Sequence, residues 1–197
     1  MGKHHFSSMD RKEIENITPQ KIILLGVKHS GKSSIGRYLS EILNWPFRDL
    51  DDCIETQTQA LMGKSIREFF RVEGKSKFFA IEKDCLETFI GNRPAPWILA
   101  TGGGIIENES AIKLMPGNSL KVFLNNSPEE LFKRIQKKGL PPFLSTDNPY
   151  KTFKKLFESR TVNYKAIADI VVDLDNSTKD HSTEKVILAI KEYLNAR

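Results

Sequence analysis

The sequence predicts an α/β fold in which a parallel β-sheet has helices on both faces. Short apolar segments alternate along the chain with longer segments whose apolar residues recur at helical spacing, which is typical of βαβ units. The first apolar segment, 22–25, has no polar alternation, as expected for a strand that is buried on both faces. At 197 residues, the chain is long enough for one such domain with a sizeable core.

The individual elements follow from the apolar pattern in chain order. Strands are expected at 22–25, within 46–51, at 119–125 and at 168–174, and residues 97–104 are expected to form a strand that runs into a glycine turn. Helices are expected at 31–43, 65–74, 76–90 and 183–194. A further helix begins after Ser127, where Ser-Pro-Glu-Glu provides an N-cap, a proline at the first helical position and a glutamate three residues after the cap.

Residues 1–19 are polar and are expected to be a leader or the remnant of an expression tag, followed by a single domain over residues 20–197. The N-terminus lacks the apolar region of a secretory signal, and no apolar run approaches the roughly 18 residues of a membrane span. Cys53 and Cys85 are too few for a zinc site or a disulfide framework, so we expect them to pack as small apolar residues. These features predict a cytoplasmic protein.

The charge of the chain restricts the class of partner. The formal net charge of +5 suits anionic small ligands. Because the basic residues are spread along the chain rather than clustered, we expect no nucleic-acid partner and no membrane partner. The predicted partner is therefore a small molecule, and the protein is expected to be a monomer.

A phosphate loop follows the first predicted strand. Residues 26–33, Gly-Val-Lys-His-Ser-Gly-Lys-Ser, match the pattern G-x-x-x-x-G-K-[ST] and lie between a buried strand and an amphipathic helix. In such a loop the backbone N–H groups surround phosphate oxygens, the lysine reaches the β- and γ-phosphates, and the serine hydroxyl binds Mg²⁺. The predicted ATP-binding residues here are His29, Ser30, Gly31, Lys32, Ser33 and Ser34.

The loop alone indicates a nucleoside triphosphate with magnesium, and it is compatible with kinases, GTPases, motors and regulatory switches. A GTPase would need a base-specifying Asn-Lys-x-Asp stretch, which the sequence lacks. The chain is also short for a motor ATPase and has no apolar run that ends in Asp-Glu. A kinase therefore fits best.

An acidic stretch at 47–55 places Asp49, Asp51 and Asp52 at the end of the second predicted strand. In a parallel sheet this edge faces the same crevice as the phosphate loop. Two residues apart on an extended chain, Asp49 and Asp51 would point the same way, one toward Mg²⁺ and the other toward an acceptor hydroxyl. The alternative is a solvated acidic turn or a helix N-cap.

Three consecutive glycines, Gly102–Gly104, follow the third predicted strand. Glycines at this edge permit a close approach of the backbone to a small ligand. The alternative is a turn that requires positive φ angles. The sequence alone favours neither.

Taken in order, these motifs resemble the shikimate kinases. The resemblance rests on the phosphate loop, the Asp-x-Asp followed by Ile-Glu, the segment G-K-S-I-x-E-F-F at 63–70 and A-T-G-G-G at 100–104, and it extends from Lys21 to the C-terminal helix. It implies a three-layer P-loop kinase fold with a five-stranded parallel sheet, a mobile lid at about 135–149 and a small substrate-binding helical region. The implied activity is MgATP-dependent phosphorylation of the 3-hydroxyl of shikimate.

On the nucleotide side, the resemblance implies a role for each matching residue. Lys32 would stabilise the transferring phosphoryl group, and Ser33 and Asp49 would hold Mg²⁺. Arg134 resembles the arginine that packs on adenine, and the loop after Leu174 would complete the base pocket.

On the acceptor side, the resemblance implies that Asp51 holds the acceptor hydroxyls and that Gly102–Gly104 line the substrate, with a backbone contact from Gly103. Arg160 resembles the arginine that pairs with the shikimate carboxylate. A second family arginine has no counterpart, because Phe79 stands at its place in the substrate region. Since a ring cannot replace bidentate pairing, either a nearby cation, Lys75 or Lys77, substitutes or the alignment slips by one residue.

Two more positions depart from the family. Pro141 stands where a lid arginine would close over the phosphates, and Lys137 or Lys138 is close enough in sequence to supply that charge. His29 replaces a glycine that is common in the family's phosphate loop.

These departures leave two other functions open. Phe79 favours a kinase of the same fold that acts on another small alcohol, such as a polyol or a sugar acid. The missing lid arginine favours a nucleotide-binding, kinase-like regulatory module. The intact Lys32, Ser33, Asp49 and Asp51 count against the regulatory module.

Overall fold

A single five-stranded parallel sheet forms the centre of the molecule. The computed structural model describes residues 20–137, 139–141, 144, 146–175 and 178–196, so the predicted leader and part of the loop after Leu174 lie outside the described residues. The spatial order of the strands is β2-β3-β1-β4-β5, and every pairing is parallel. The strands are β1 (Lys21–Leu25), β2 (Phe47–Asp49), β3 (Trp97–Ala100), β4 (Leu120–Asn126) and β5 (Ile170–Leu174).

Seven α-helices and one 3-10 turn accompany these strands in the described part of the chain, and the last helix follows β5. They are α1 (Lys32–Leu43), α2 (Leu50–Met62), α3 (Ile66–Gly91), the 3-10 turn Ile105–Glu107, α4 (Glu109–Leu114), α5 (Pro128–Lys137), α6 (Pro149–Ile167) and α7 (Lys179–Asn195). The predicted α/β class and the five predicted strands are confirmed. None of these helices combines the length and apolar character that a membrane span needs.

The alternate side chains of β1 point into two separate cores. Ile23 and Leu25 pack with residues of α3 and α6, whereas Ile22 and Leu24 pack with residues of α1 and α7. All four side chains are fully buried, which explains why this segment has no polar alternation. Helices therefore cover both faces of the sheet.

Local signals explain where α3 begins and why it is interrupted. Ser65 and Glu68 form a reciprocal capping box, in which the Ser65 side chain accepts from the Glu68 N–H and the Glu68 carboxylate accepts from the Ser65 N–H. At Gly74 the backbone leaves the helical conformation, with φ 78° and ψ 179°. This break coincides with the end of the predicted helix 65–74 and precedes the predicted helix 76–90.

Three helices, α2, α4 and α6, were not predicted from the apolar pattern of the sequence. Helix α2 buries only three of its described residues, Leu50, Ile54 and Thr58, so its apolar periodicity is weak. The free cysteines behave as predicted, because Cys85 is buried and Cys53 packs against the same core.

Candidate active site

The phosphate loop connects β1 to α1 through three residues with positive φ angles. These are Gly26 (φ 152°), His29 (φ 67°) and Gly31 (φ 101°). A Cβ atom on Gly26 would lie 2.6 Å from Oγ of Ser30, so this position requires glycine. The left-handed backbone at 29 also explains why glycine suits that position, and histidine is among the residues that tolerate it.

Lys32 lies beneath this loop and is only 7% exposed. Its Nζ atom donates to the carbonyl oxygens of Gly26, at 2.7 Å, and Val27, at 3.1 Å. Burial lowers the pKa of Lys32 to about 8, and the neighbouring charges of Asp51 and Asp49 oppose that shift. The loop therefore holds a buried cation beside two carboxylates.

The remaining loop residues differ in exposure. Ser30 is buried, and Ser34 is exposed on the first turn of α1. Arg134 of α5 is half-buried and donates from Nη1 to the carbonyl oxygen of His29 at 3.1 Å. Arg134 is therefore attached to the phosphate loop, and its contact with adenine stays a prediction.

Ser33 and Asp49 bring a hydroxyl and a carboxylate together at the start of α1. The Ser33 hydroxyl donates to the Asp49 carboxylate, which is 6% exposed. The described residues contain no cluster of three or more carboxylate, histidine or cysteine side chains, so they form no all-protein metal cage. Mg²⁺ commonly binds only one or two oxygen ligands from the protein when phosphate oxygens and water supply the others. The residues present fit a magnesium site.

The local conformation of the acidic stretch differs from the prediction. Asp49 ends β2 in an extended conformation, but Asp51 lies in the first turn of α2 and donates its N–H to Oδ1 of Asp49 at 3.1 Å. The expected extended chain through both residues is therefore wrong, and the helix N-cap alternative applies to Asp49. Asp52 is exposed and pairs with Arg37 at 3.7 Å.

Asp51 nevertheless faces the site. A Cβ atom on Gly102 would lie 2.9 Å from Oδ1 of Asp51 and 3.0 Å from Oε1 of Glu82, so these two carboxylates approach the glycine turn together. Burial raises the pKa of Asp51, and the charge of Lys32 opposes that shift. The aspartate that matches the family's acceptor position thus lies within electrostatic reach of the phosphate-loop lysine.

The three glycines after β3 lie close to their neighbours, and Gly103 requires glycine because backbone atoms approach it. A Cβ atom on Gly103 would lie 2.5 Å from the backbone nitrogen of Lys28, and one on Gly104 would lie 3.3 Å from Nη2 of Arg160. None of the three has a positive φ angle, so the alternative of a positive-φ turn is wrong. The glycine turn, residues 102–104, is packed directly against the phosphate loop.

Glu82 is a buried carboxylate that the sequence analysis missed. It is 1% exposed, and its Oε2 accepts a hydrogen bond from Nδ2 of Asn108 at 2.9 Å. Burial raises the pKa of Glu82 to about 7, and the hydrogen bond from Asn108 opposes that shift. The signal in the sequence is a glutamate on the apolar face of α3, one turn after Phe78 and one turn before Leu86.

Arg160 of α6 reaches the other side of the glycine turn. Its Nη1 donates to the carbonyl oxygen of Gly103 at 3.1 Å, and its Nε donates to Oε1 of Glu107 at 2.7 Å. Phe79 lies on α3, where its carbonyl oxygen accepts from Asn108. Arg160 therefore contacts the glycine turn, Phe79 and Glu82 share the donor Asn108, and the substrate contacts of Arg160 and Phe79 stay predictions.

The predicted lid is described only in part. Helix α5 ends at Lys137, α6 begins at Pro149, and Lys138 lies outside the described residues with 142, 143 and 145. Pro141 is half-buried, and Leu144 is fully buried. The proposed replacement of the lid arginine by Lys137 or Lys138 stays a prediction.

Comparisons with known proteins match this arrangement over most of the chain. The family model for shikimate kinase matches residues 28–191. A shikimate kinase from Marinomonas sp. (strain MWYL1) is 34% identical over 178 residues, which cover 90% of this chain and 96% of that protein. The solved structure of shikimate kinase from Acinetobacter baumannii in complex with shikimate has a TM-score of 0.80 at 26% identity, and the match covers 92% of this chain and 97% of that chain.

A gluconokinase structure from Sinorhizobium meliloti 1021 is also similar, with a TM-score of 0.54 at 18% identity over 91% of this chain and 99% of that chain. That likeness concerns the fold alone. The family match, in contrast, includes the acidic stretch, the glycine turn and Arg160, which the structure gathers at one edge of the sheet. The predicted resemblance is confirmed, and the chain belongs to the shikimate kinase family.

Proposed function

We propose that the protein transfers the γ-phosphate of ATP to the 3-hydroxyl of shikimate. The observation that carries this proposal is the position of Asp51 between the phosphate loop and the glycine turn, with Arg160 on the far side of that turn. An acceptor that lies over the glycine turn would meet a carboxylate at its hydroxyl end and a guanidinium at its other end. A hydroxylated carboxylic acid such as shikimate has both groups.

Each side chain has a part in this mechanism. Asp51 orients the acceptor hydroxyl and receives its proton as the hydroxyl oxygen attacks the γ-phosphorus. Lys32 neutralises the negative charge that develops on the transferring phosphoryl group. Arg160 binds the acceptor carboxylate through paired N–H donors, which fixes the direction of the ring.

Mg²⁺ fits the oxygen pair formed by Ser33 and Asp49. When bound, the metal would reduce the negative charge of the phosphate oxygens. The protein's own contribution is to hold these two oxygens next to Lys32, since Ser33 follows Lys32 in the first turn of α1 and Asp49 at the end of β2 accepts from Ser33.

A second candidate acceptor is a sugar acid, and Phe79 favours it because a ring lies where the family has an arginine. To distinguish the two, purified protein with MgATP is assayed for ADP release against shikimate, quinate, gluconate and nucleoside monophosphates. The proposed function predicts stimulation by shikimate well above that by the other acceptors. Stimulation by gluconate alone would establish the second candidate, and no stimulation by any acceptor, with ATP binding intact, would refute both.

A further inference from the structure

The carboxylate of Glu107 is shared by two cations beside the glycine turn. Nε and Nη2 of Arg160 lie 2.7 Å and 2.6 Å from Oε1 of Glu107, and Nζ of Lys75 lies 2.9 Å from Oε2. Glu107 ends the 3-10 turn, Arg160 lies on α6 and Lys75 lies on α3. Three separate elements thus bring two positive groups to one point.

This point belongs to the acceptor side of the site. Arg160 also donates to the carbonyl oxygen of Gly103, and its guanidinium lies against Gly104. Lys75 Nζ lies 5.1 Å from the centre of the Phe79 ring, within the range of a cation–π contact. Phe79 therefore has a lysine ammonium over its ring.

The structure distinguishes Lys75 from Lys77, which the sequence left as equal candidates. Lys75 and Phe79 are four residues apart, so they lie on the same face of α3. Lys77 forms its ion pair with Glu73, whereas Lys75 forms its ion pair with Glu107. Of these two lysines, Lys75 is the one that shares a carboxylate with Arg160.

The cluster retains capacity for another anion. An ammonium has three N–H donors and a guanidinium has five. The contacts with Glu107 and Gly103 use only part of these donors. Two positive charges opposite one carboxylate also leave an excess positive charge, which suits one additional carboxylate.

We propose that Lys75 is a specificity-determining residue that binds the acceptor carboxylate together with Arg160, while Glu107 positions both cations. This inference rests on the proposed function, because shikimate supplies the carboxylate. Phe79 contributes by keeping the Lys75 ammonium over its ring. The Lys75 ammonium would contact the acceptor carboxylate as a single charge, because it lacks the planar pair of N–H donors of a guanidinium. Arg160 therefore remains the bidentate partner of the carboxylate.

The test measures kcat and KM for shikimate and for ATP in the full chain. Lys75→Met keeps an unbranched side chain one atom shorter and removes the charge, so it should raise the KM for shikimate about 10- to 100-fold. The KM for ATP and kcat should change less than about threefold. Lys75→Arg restores a cation and should keep the KM for shikimate near the wild-type value, and Lys77→Met is the matched control that should leave it unchanged.

Three outcomes would overturn the inference while leaving the proposed function intact. These are a wild-type KM for shikimate in Lys75→Met, an equal rise in Lys77→Met, or a fall in kcat without a rise in KM. Lys75→Gln provides a second neutral variant in which the same rise is expected. Failure of the proposed function is distinguishable, because the wild-type protein itself would then show no turnover of shikimate.

Discussion

The Ser33 hydroxyl donates a hydrogen bond to the Asp49 carboxylate and thereby joins the first turn of α1 to the end of β2. Asp49 also accepts from the N–H of Asp51, so the same carboxylate caps α2. The two oxygens proposed for Mg²⁺ are therefore held by a strand and two helix starts. Such support favours a fixed geometry for the metal.

Asp49→Asn should weaken the response of the enzyme to magnesium. Asparagine keeps an oxygen that can cap α2 but loses the negative charge that attracts the cation. The Mg²⁺ concentration for half-maximal activity should rise at least about 10- to 100-fold. A magnesium titration of ADP release checks this, with Asp52→Asn as the control, because Asp52 is exposed and pairs with Arg37. Equal magnesium dependence of the two variants would contradict the assignment.

Gly103→Ala should distort the phosphate loop. The added Cβ atom would lie 2.5 Å from the backbone nitrogen and 2.9 Å from Cα of Lys28, so the loop has to move. Overpacking of this kind costs about 1–3 kcal/mol, and we also expect a rise in the KM for ATP. Gly117→Ala is the control, because its Cβ atom would meet no atom within 4 Å. Thermal unfolding and the KM for ATP are measured for both variants. Equal values for Gly103→Ala and Gly117→Ala would refute the close approach of Gly103 to the Lys28 backbone.

Glu82→Gln should stabilise the protein in alkaline solution. Burial raises the pKa of Glu82 from 4.5 to about 7, so the folded state binds more protons than the unfolded state between these values. Stability contributed by this group is therefore lost as the pH rises through that window. Glutamine avoids the loss and keeps an oxygen that accepts from Asn108.

The expected gain in the free energy of unfolding is about 1–3 kcal/mol at pH 8 and close to zero at pH 4. Chemical denaturation of both proteins at the two pH values measures it. The acidic neighbours Asp51 and Glu107 act in the same direction as burial, and Arg160 opposes them. A pH-independent difference between Glu82→Gln and the wild type would show that the buried carboxyl does not titrate in this range.

The strands could be predicted well because a short apolar run in the sequence itself indicates that a strand is buried. An uninterrupted apolar run such as 22–25 needs a strand that is covered on both faces, and β1 is such a strand. Helix α2 was missed because most of its residues face solvent. The extended path through Asp51 was wrong because Asp49 caps a helix that begins at the next residue.

The site was predictable where a motif encodes chemistry and not where it depends on tertiary contacts. The predicted roles of Lys32 and Ser33 follow from the spacing of the phosphate-loop motif, whereas the role of Asp49 was implied by the family resemblance. The reason for glycine at 103 lies in the Lys28 backbone, which is distant in sequence. Glu82 was missed because an ionisable residue on an apolar helix face does not reveal its partner, Asn108.

Identification of the phosphorylated product tests the central claim most directly. Wild-type protein is incubated with MgATP and shikimate, and the product is analysed by ³¹P NMR and mass spectrometry beside Asp51→Asn. We predict a phosphate monoester at the 3-hydroxyl of shikimate, formed in equal amount with ADP, and a rate about 10²- to 10⁴-fold lower for Asp51→Asn. ADP release without phosphorylated shikimate, or full activity of Asp51→Asn, would contradict the account.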